Sequence, residues 1–130
     1  MADWIIVVDD DISNLKMAGH ILSKANMRVT ALKSGQALLD YVKENGGPDL
    51  ILLDIKMPEM DGFETLKKLR EQEAGKEETP VIFLTADENA ESVSTGLSLG
   101  AMDFVTKPFV PELLTTRVKH IVELMRLKKG

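Results

Sequence analysis

Acids, hydroxyls and an amine stand where four apolar runs end. WIIVV (Trp4–Val8) runs into Asp9, Asp10 and Asp11, and LILL (Leu50–Leu53) into Asp54. VIFL (Val81–Leu84) is followed by Thr85 and Ala86, and MDFV (Met102–Val105) by Thr106, Lys107 and Pro108. Carboxylates gathered at one mouth repel one another and persist as anions when a hard cation sits among them. Oxygen-only ligation suits Mg²⁺ (or Mn²⁺), which keeps several waters and needs few protein carboxylates. Asp9, Asp10 and Asp54 supply three negative charges; a divalent ion with Lys107 supplies three positive ones. A pocket balanced in this way suits an incoming phosphoryl group, whose transfer depends on positioning and electrostatic stabilisation. A carboxylate can itself be the nucleophile and form an aspartyl phosphate. Asp54 is the best placed, because it ends a central buried run alone.

Each of these residues also has a plainer reading. Asp9 and Asp10 alone read as acids at a helix start or in a turn, and Asp11 as a cap for the first helix. Thr85 alone reads as a strand-end hydroxyl, and Phe104 as a core residue. Asp61 and Gly62 read as loop-shaping. His20 and His120 fall on helical stretches away from the run ends, with no metal partner in view.

The elements that must position these groups follow from pattern. The first, third and fourth runs are nearly continuous, as in strands buried on both faces of a parallel sheet. RVTAL (Arg28–Leu32) and MDFV admit Arg, Thr and Asp and read as edge strands. Between them lie amphipathic stretches: Leu15, Ala18, Leu22 and Ala25; then Ala37, Leu38, Tyr41 and Val42 after a capping Ser34; then Phe63, Leu66 and Leu69 after Asp61. A fourth helix, about residues 89–99, is rich in Ser, Thr and Gly and weakly anchored, with Gly100 ending it. A fifth begins near Pro111 and continues through Leu114, Val118, Ile121 and Met125. Strand and helix therefore alternate five times. Right-handed crossovers make this one α/β domain, a doubly wound parallel sheet whose ligand site lies outside the carboxyl ends of the strands.

Composition narrows the classes. The 130 residues fit one domain, residues 1–130 with a core of about 4–127, and contain no cysteine, so disulfides and thiolate metal sites are excluded. Formal net charge is −5, with no basic run beyond Lys128-Lys129, which argues against direct nucleic-acid binding. No apolar run approaches spanning length and MADW has no signal-peptide pattern, so the expectation is a cytoplasmic protein without membrane attachment. No G-x-G-x-x-G follows the first run, which excludes dinucleotide binding of that type.

Four motifs in order, VVDD (Val7–Asp10), LLDIKMPEMDG (Leu52–Gly62), FLTA (Phe83–Ala86) and FVTKPF (Phe104–Phe109), resemble the receiver domain of two-component response regulators, the CheY-like family. The resemblance implies a flavodoxin-like (βα)5 fold with strand order 2-1-3-4-5. It implies Asp54 as phosphoacceptor, and Mg²⁺ held by Asp10 directly, by Asp9 largely through water, by Asp54 and by the backbone carbonyl of Lys56. It also implies Lys107 on the phosphoryl group, Thr85 and Phe104 as switch residues, Phe104 starting from a solvent-facing rotamer, and a cis Lys107-Pro108 bond. Lys56 and Asp87 would tune phosphate lifetime, through a Lys56–Asp87 ion pair lying across the phosphoryl group. The implied partners are a sensor histidine kinase or histidine phosphotransfer protein. An output domain or effector would read the surface of the fourth helix, fifth strand and fifth helix, and a phosphorylation-dependent homodimer is a further expectation. The expected role is a signalling switch rather than an enzyme acting on a separate substrate. A stand-alone regulator and an N-terminal receiver of a longer one both remain open. The rival is a haloacid-dehalogenase-like phosphatase with Asp9 as nucleophile and Asp9-Asp10-Asp11 as its D-x-D pair.

Overall fold

A computed structural model describes residues 2–86 and 90–129. Strands and helices alternate along the chain: β1 (Trp4–Val8), α1 (Ile12–Lys24), β2 (Arg28–Leu32), α2 (Gly35–Asn45), β3 (Leu50–Asp54), α3 (Gly62–Gln72), β4 (Val81–Thr85), α4 (Ala90–Ser98), β5 (Asp103–Thr106) and α5 (Pro111–Lys129). The sheet order is β2-β1-β3-β4-β5, and every neighbouring pair is parallel. β3 and β4 are buried along their whole length, whereas β2 and β5 are partly exposed edges. The near-continuous apolar runs therefore take the central places and the mixed runs the edges.

Alternation along each strand sends side chains to two cores. Ile5, Val7, Leu50, Leu52, Ile82 and Leu84 pack with Leu22 of α1 and Val118 of α5. Ile6, Val8, Ile51, Leu53, Val81 and Phe83 pack on the other face with Leu38 of α2 and Leu66 and Leu69 of α3. The second face also holds Phe63 and Phe104 beside Phe83, whereas Phe109 packs on the first.

Caps set the helix starts. Asp11 Oδ1 accepts from the Ser13 and Asn14 amides, Ser34 Oγ from Ala37 and Asp61 Oδ1 from Glu64, each cap contributing about 1 kcal/mol. Gly100, at φ +99, follows α4 in the left-handed region where a side chain is disfavoured. Inner faces differ in detail from the simple periodic reading. Leu39 is buried in α2 while Ala37 is only half-buried, and Ile21 joins the α1 face. Thr65 of α3 is fully buried because its hydroxyl donates to the Asp61 carbonyl at 2.8 Å and packs where α2 crosses. Trp4 packs at the start of β1: its indole N–H donates to Thr30 Oγ1, its ring meets Tyr41 edge-on, and the Arg28 guanidinium covers it.

Candidate functional site

Strand register builds the site. Val8 pairs with Leu53, Asp54 with Leu84, and Thr85 with Thr106. Asp9, Asp54, Thr85 and Lys107 therefore come level at the carboxyl edge. The Asp9 amide donates to Leu32 O at 3.1 Å and the Lys107 amide to Thr85 O at 2.8 Å, which extends the ladders to the residues that matter. The Lys107-Pro108 bond is cis, as the resemblance implied.

The ammonium of Lys107 bridges two buried carboxylates. Its Nζ donates to Asp54 Oδ1 at 2.9 Å and lies 2.8 Å from Asp9 Oδ2. Asp9 is fully buried and Asp54 nearly so, while Asp10 is exposed at the rim. Asp9 Oδ1 accepts from the Asp11 amide at 2.9 Å, tying the acid to the start of α1. Asp9 Oδ2 is buried and faces the ammonium as an ion pair without an aligned hydrogen bond. Around these groups lies a cleft of about 210 Å³ that Asn14, Ile55, Lys56, Thr85 and Ala86 also line.

Electrostatics at the cleft are unsettled in a useful way. Burial pushes the Asp54 carboxyl up; the Lys107 hydrogen bond opposes this and the negative charges of Asp9 and Asp10 add to it, leaving a pKa of about 6. Burial alone would lower the Lys107 pKa, but Asp9 and Asp54 override it and hold the amine above its ordinary value. Lys107 is therefore a fixed cation, and Asp54 is a carboxylate at neutral pH with a proton near at hand. Possible ligand oxygens of Asp9, Asp10 and Asp54 all lie within 4.8 Å of one another, the one such trio among the described residues. Three acidic oxygens, one of them a buried atom without an aligned donor, fit a hard divalent cation.

The remaining expected residues fall as follows. Thr85 is buried at the cleft wall. Lys56 lines the cleft with an exposed side chain, while Asp87, and with it the Lys56–Asp87 pair, lies outside the described residues. Asp11 caps α1, and His20 and His120 are exposed. Phe104 differs from the solvent-facing expectation. It is buried, with its ring 5.7 Å from that of Phe83. Room for it comes from Gly96 of α4, where a Cβ would stand 2.6 Å from Phe104 Cζ. Asn14 and Ile55 are cleft residues the sequence reading did not single out. The available signal for Asn14 was its place in the first turn after the Asp11 cap, directly behind Asp9 and Asp10.

A doubly wound sheet with an acidic trio and a lysine at its carboxyl edge defines the class. The family described as the response regulator receiver domain matches residues 5–119, and the chain belongs to it. Among curated relatives, the alkaline phosphatase synthesis transcriptional regulatory protein PhoP of Bacillus subtilis is 38% identical over 91% of this chain and 48% of its own length. The regulatory protein AtoC of Escherichia coli is 34% identical over 96% of this chain and 26% of its own. The chain thus spans about half or less of these relatives. Among solved structures, the chemotaxis protein CheY4 of Vibrio cholerae superposes with a TM-score of 0.85 at 31% identity, covering 93% of this chain and 99% of that one. The chain is a receiver domain of two-component signalling, and its acidic cluster fits the phosphoacceptor site of that family. Among the described residues, no helix is long and apolar enough to cross a membrane.

Proposed function

We propose that Asp54 takes a phosphoryl group from the phosphohistidine of a sensor kinase or phosphotransfer protein, and that the charge balance around Lys107 makes this possible. The observation that carries the reading is the bridge of Lys107 Nζ to Asp54 at 2.9 Å and to Asp9 at 2.8 Å. Mg²⁺, when bound, supplies charge neutralisation on the phosphoryl oxygens. Asp9, Asp10, Asp54 and the Lys56 carbonyl are the groups that would hold it.

The chain's own residues do the rest. Lys107 engages Asp54 Oδ1, and among the described residues no hydrogen bond engages Oδ2. In this reading Oδ2 is the oxygen that attacks phosphorus. An O–P bond forms as the P–N bond to the donor imidazole breaks, and the electron pair stays with the ring nitrogen. Lys107 then stabilises charge on the phosphoryl oxygens. Reset is attack by water on the same phosphorus, which releases inorganic phosphate and the Asp54 carboxylate.

The new oxygens need donors, and Thr85 at the cleft wall can supply its hydroxyl. The response would pass through Phe104, already seated beneath α4, to the surface of α4, β5 and α5. This is a shift between two populated states of one fold. An output domain, an effector protein or a second copy would read that surface, in the cytoplasm where the donor kinases present their phosphohistidines.

The phosphatase alternative fits less well. It needs Asp9 as nucleophile, yet Asp9 is fully buried, with Oδ1 held by the Asp11 amide and Oδ2 against Lys107. The test is incubation with acetyl phosphate and intact-mass measurement. The chain gains one phosphoryl group with MgCl₂ and none with excess chelator; equal labelling in both would remove the metal from the reading.

A further inference from the structure

Gly62 is the first residue of α3, and its packing is tighter than a helix start requires. A Cβ built there would lie 2.4 Å from the backbone oxygen of Asp54, 2.9 Å from Ile55 Cα and 3.1 Å from the Asp54 carbonyl carbon. All three are backbone atoms of the strand end that presents the proposed phosphoacceptor. No side-chain rotation relieves such a contact; the strand end or the helix must move. The Gly62 amide also donates to Ile55 O at 2.7 Å, and the Ile55 amide donates to Leu84 O at 3.2 Å. α3, the end of β3 and the end of β4 are thereby fastened at one point.

That point closes the loop between Ile55 and Gly62, which carries Lys56. Inside it the Met60 amide donates to Pro58 O at 2.8 Å, Glu59 sits at φ +69, and Met57 is buried in the aromatic core. The loop is short, internally bonded and stapled at its mouth, so a shift at Gly62 passes to both Asp54 and Lys56.

We propose that Gly62 is a positioning residue for phosphoryl transfer: its missing side chain lets α3 rest on the Asp54 backbone, and this contact sets the Asp54 carboxylate and the Lys56 carbonyl together. The inference rests on the reading of Asp54 as phosphoacceptor, and it adds a residue that touches neither metal nor phosphate. It also distinguishes Gly62 from Asp61, whose carboxylate caps α3 at the Glu64 amide and whose loss would fray the helix without pushing on β3.

The experiment compares Gly62→Ala with Leu22→Ala in the full chain. Leu22 is fully buried on the other face of the sheet, near the far end of α1, so its truncation lowers stability without reaching the cleft. Affinity for MgCl₂ is measured by titration calorimetry, and labelling by acetyl phosphate by intact mass, at a temperature where each variant is folded. Gly62→Ala weakens Mg²⁺ binding at least ~10-fold and slows labelling in step, whereas Leu22→Ala stays within about twofold of wild type in both once corrected for folded fraction. Equal Mg²⁺ affinity in Gly62→Ala and wild type overturns the inference, as does an equal loss in both variants. Should Gly62→Ala not fold, amide exchange in the wild-type chain carries the test. Exchange at the Gly62 amide slows on adding MgCl₂ by more than that at the core amides of α1, and an equal response overturns the inference. A wild-type chain that acetyl phosphate does not label at all would instead sink the phosphoacceptor reading itself.

Discussion

Two buried carboxylates sit at opposite ends of the sheet, and they are held very differently. At the amino end Glu73 is buried with both oxygens engaged: Oε1 accepts from Arg70 Nη1 at 2.8 Å and Oε2 from the Thr79 amide at 2.9 Å. The same Arg70 nitrogen donates to Thr79 O at 2.8 Å, so the end of α3 is locked to the approach of β4. At the carboxyl end Asp54 has one oxygen on Lys107, Asp9 and Asp10 close by, and a pKa pushed up to about 6 by burial. Burial of an acid therefore does not by itself mark a site. What marks it is convergence: among the described residues each end holds one buried polar atom without a hydrogen bond, Arg70 Nε and Asp9 Oδ2, but only around Asp54 do two further acids and an amine meet beside a cleft. Cavity size would mislead here, because a hollow of about 530 Å³ lies beside Glu73 whereas the acidic cleft is only about 210 Å³.

The contrast can be broken by experiment. The largest expected effect on the chemistry comes from Lys107→Ala, which slows labelling by acetyl phosphate about 100-fold, in the range seen when a charge-stabilising donor is removed. It also raises the Asp54 pKa further, since the Lys107 hydrogen bond is what holds it down. The check is a pH titration of the Asp54 carboxyl by NMR alongside the rate. A pKa that stays near 6 would mean that Lys107 does not govern Asp54.

Glu73→Ala should show the opposite profile. Removing one partner of a buried pair costs about 3 kcal/mol, or roughly 10 °C in Tm for a domain of this size. Labelling of the folded fraction stays within about twofold. Thermal melts and labelling rates on the same sample test both halves, and a labelling defect larger than the stability loss explains would erase the distinction between the two ends.

The smallest effect is a pH dependence of stability without metal. Asp54 has an ordinary value of 3.8 and a folded value of about 6, so the folded state holds its proton more tightly. Its contribution is fully present below 3.8 and is lost as pH rises through about 6. Asp54→Asn carries no charge to lose. Its metal-free Tm should exceed that of wild type by a few degrees at about pH 7.5, and the gap should close below about pH 4. A gap of the same size at both pH values would show that Asp54 charge is not its source.

Much of this architecture is written in the chain. Leu50–Leu53 leading into Asp54 placed a buried strand with an acid at its end, and Asp54 proves to be the last residue of that strand. Asp11, Ser34 and Asp61 announced three helix starts, because a side-chain oxygen just before an amphipathic run has a local use. Local pattern could not reveal contacts across elements. Thr65 is buried because its hydroxyl donates to the Asp61 carbonyl and its side chain fills the space left by Gly35 of α2. Phe104 alone reads as core and is buried, against the solvent-facing rotamer that the resemblance implied, because Gly96 leaves a gap for its ring. Gly62 reads as a turn residue, and only the approach of α3 to the Asp54 backbone gives it another meaning. Arg70 and Glu73 lock the amino end through Thr79, a contact from the end of α3 to the approach of β4 that no local pattern marks.

The most direct test of the whole account is the position of the label. Wild-type chain treated with acetyl phosphate and MgCl₂ is reduced with borohydride, digested and mapped by mass spectrometry, with Asp54→Asn treated in parallel. The account predicts modification at Asp54 and none in the variant. Modification at Asp9, or undiminished labelling of Asp54→Asn, would contradict it.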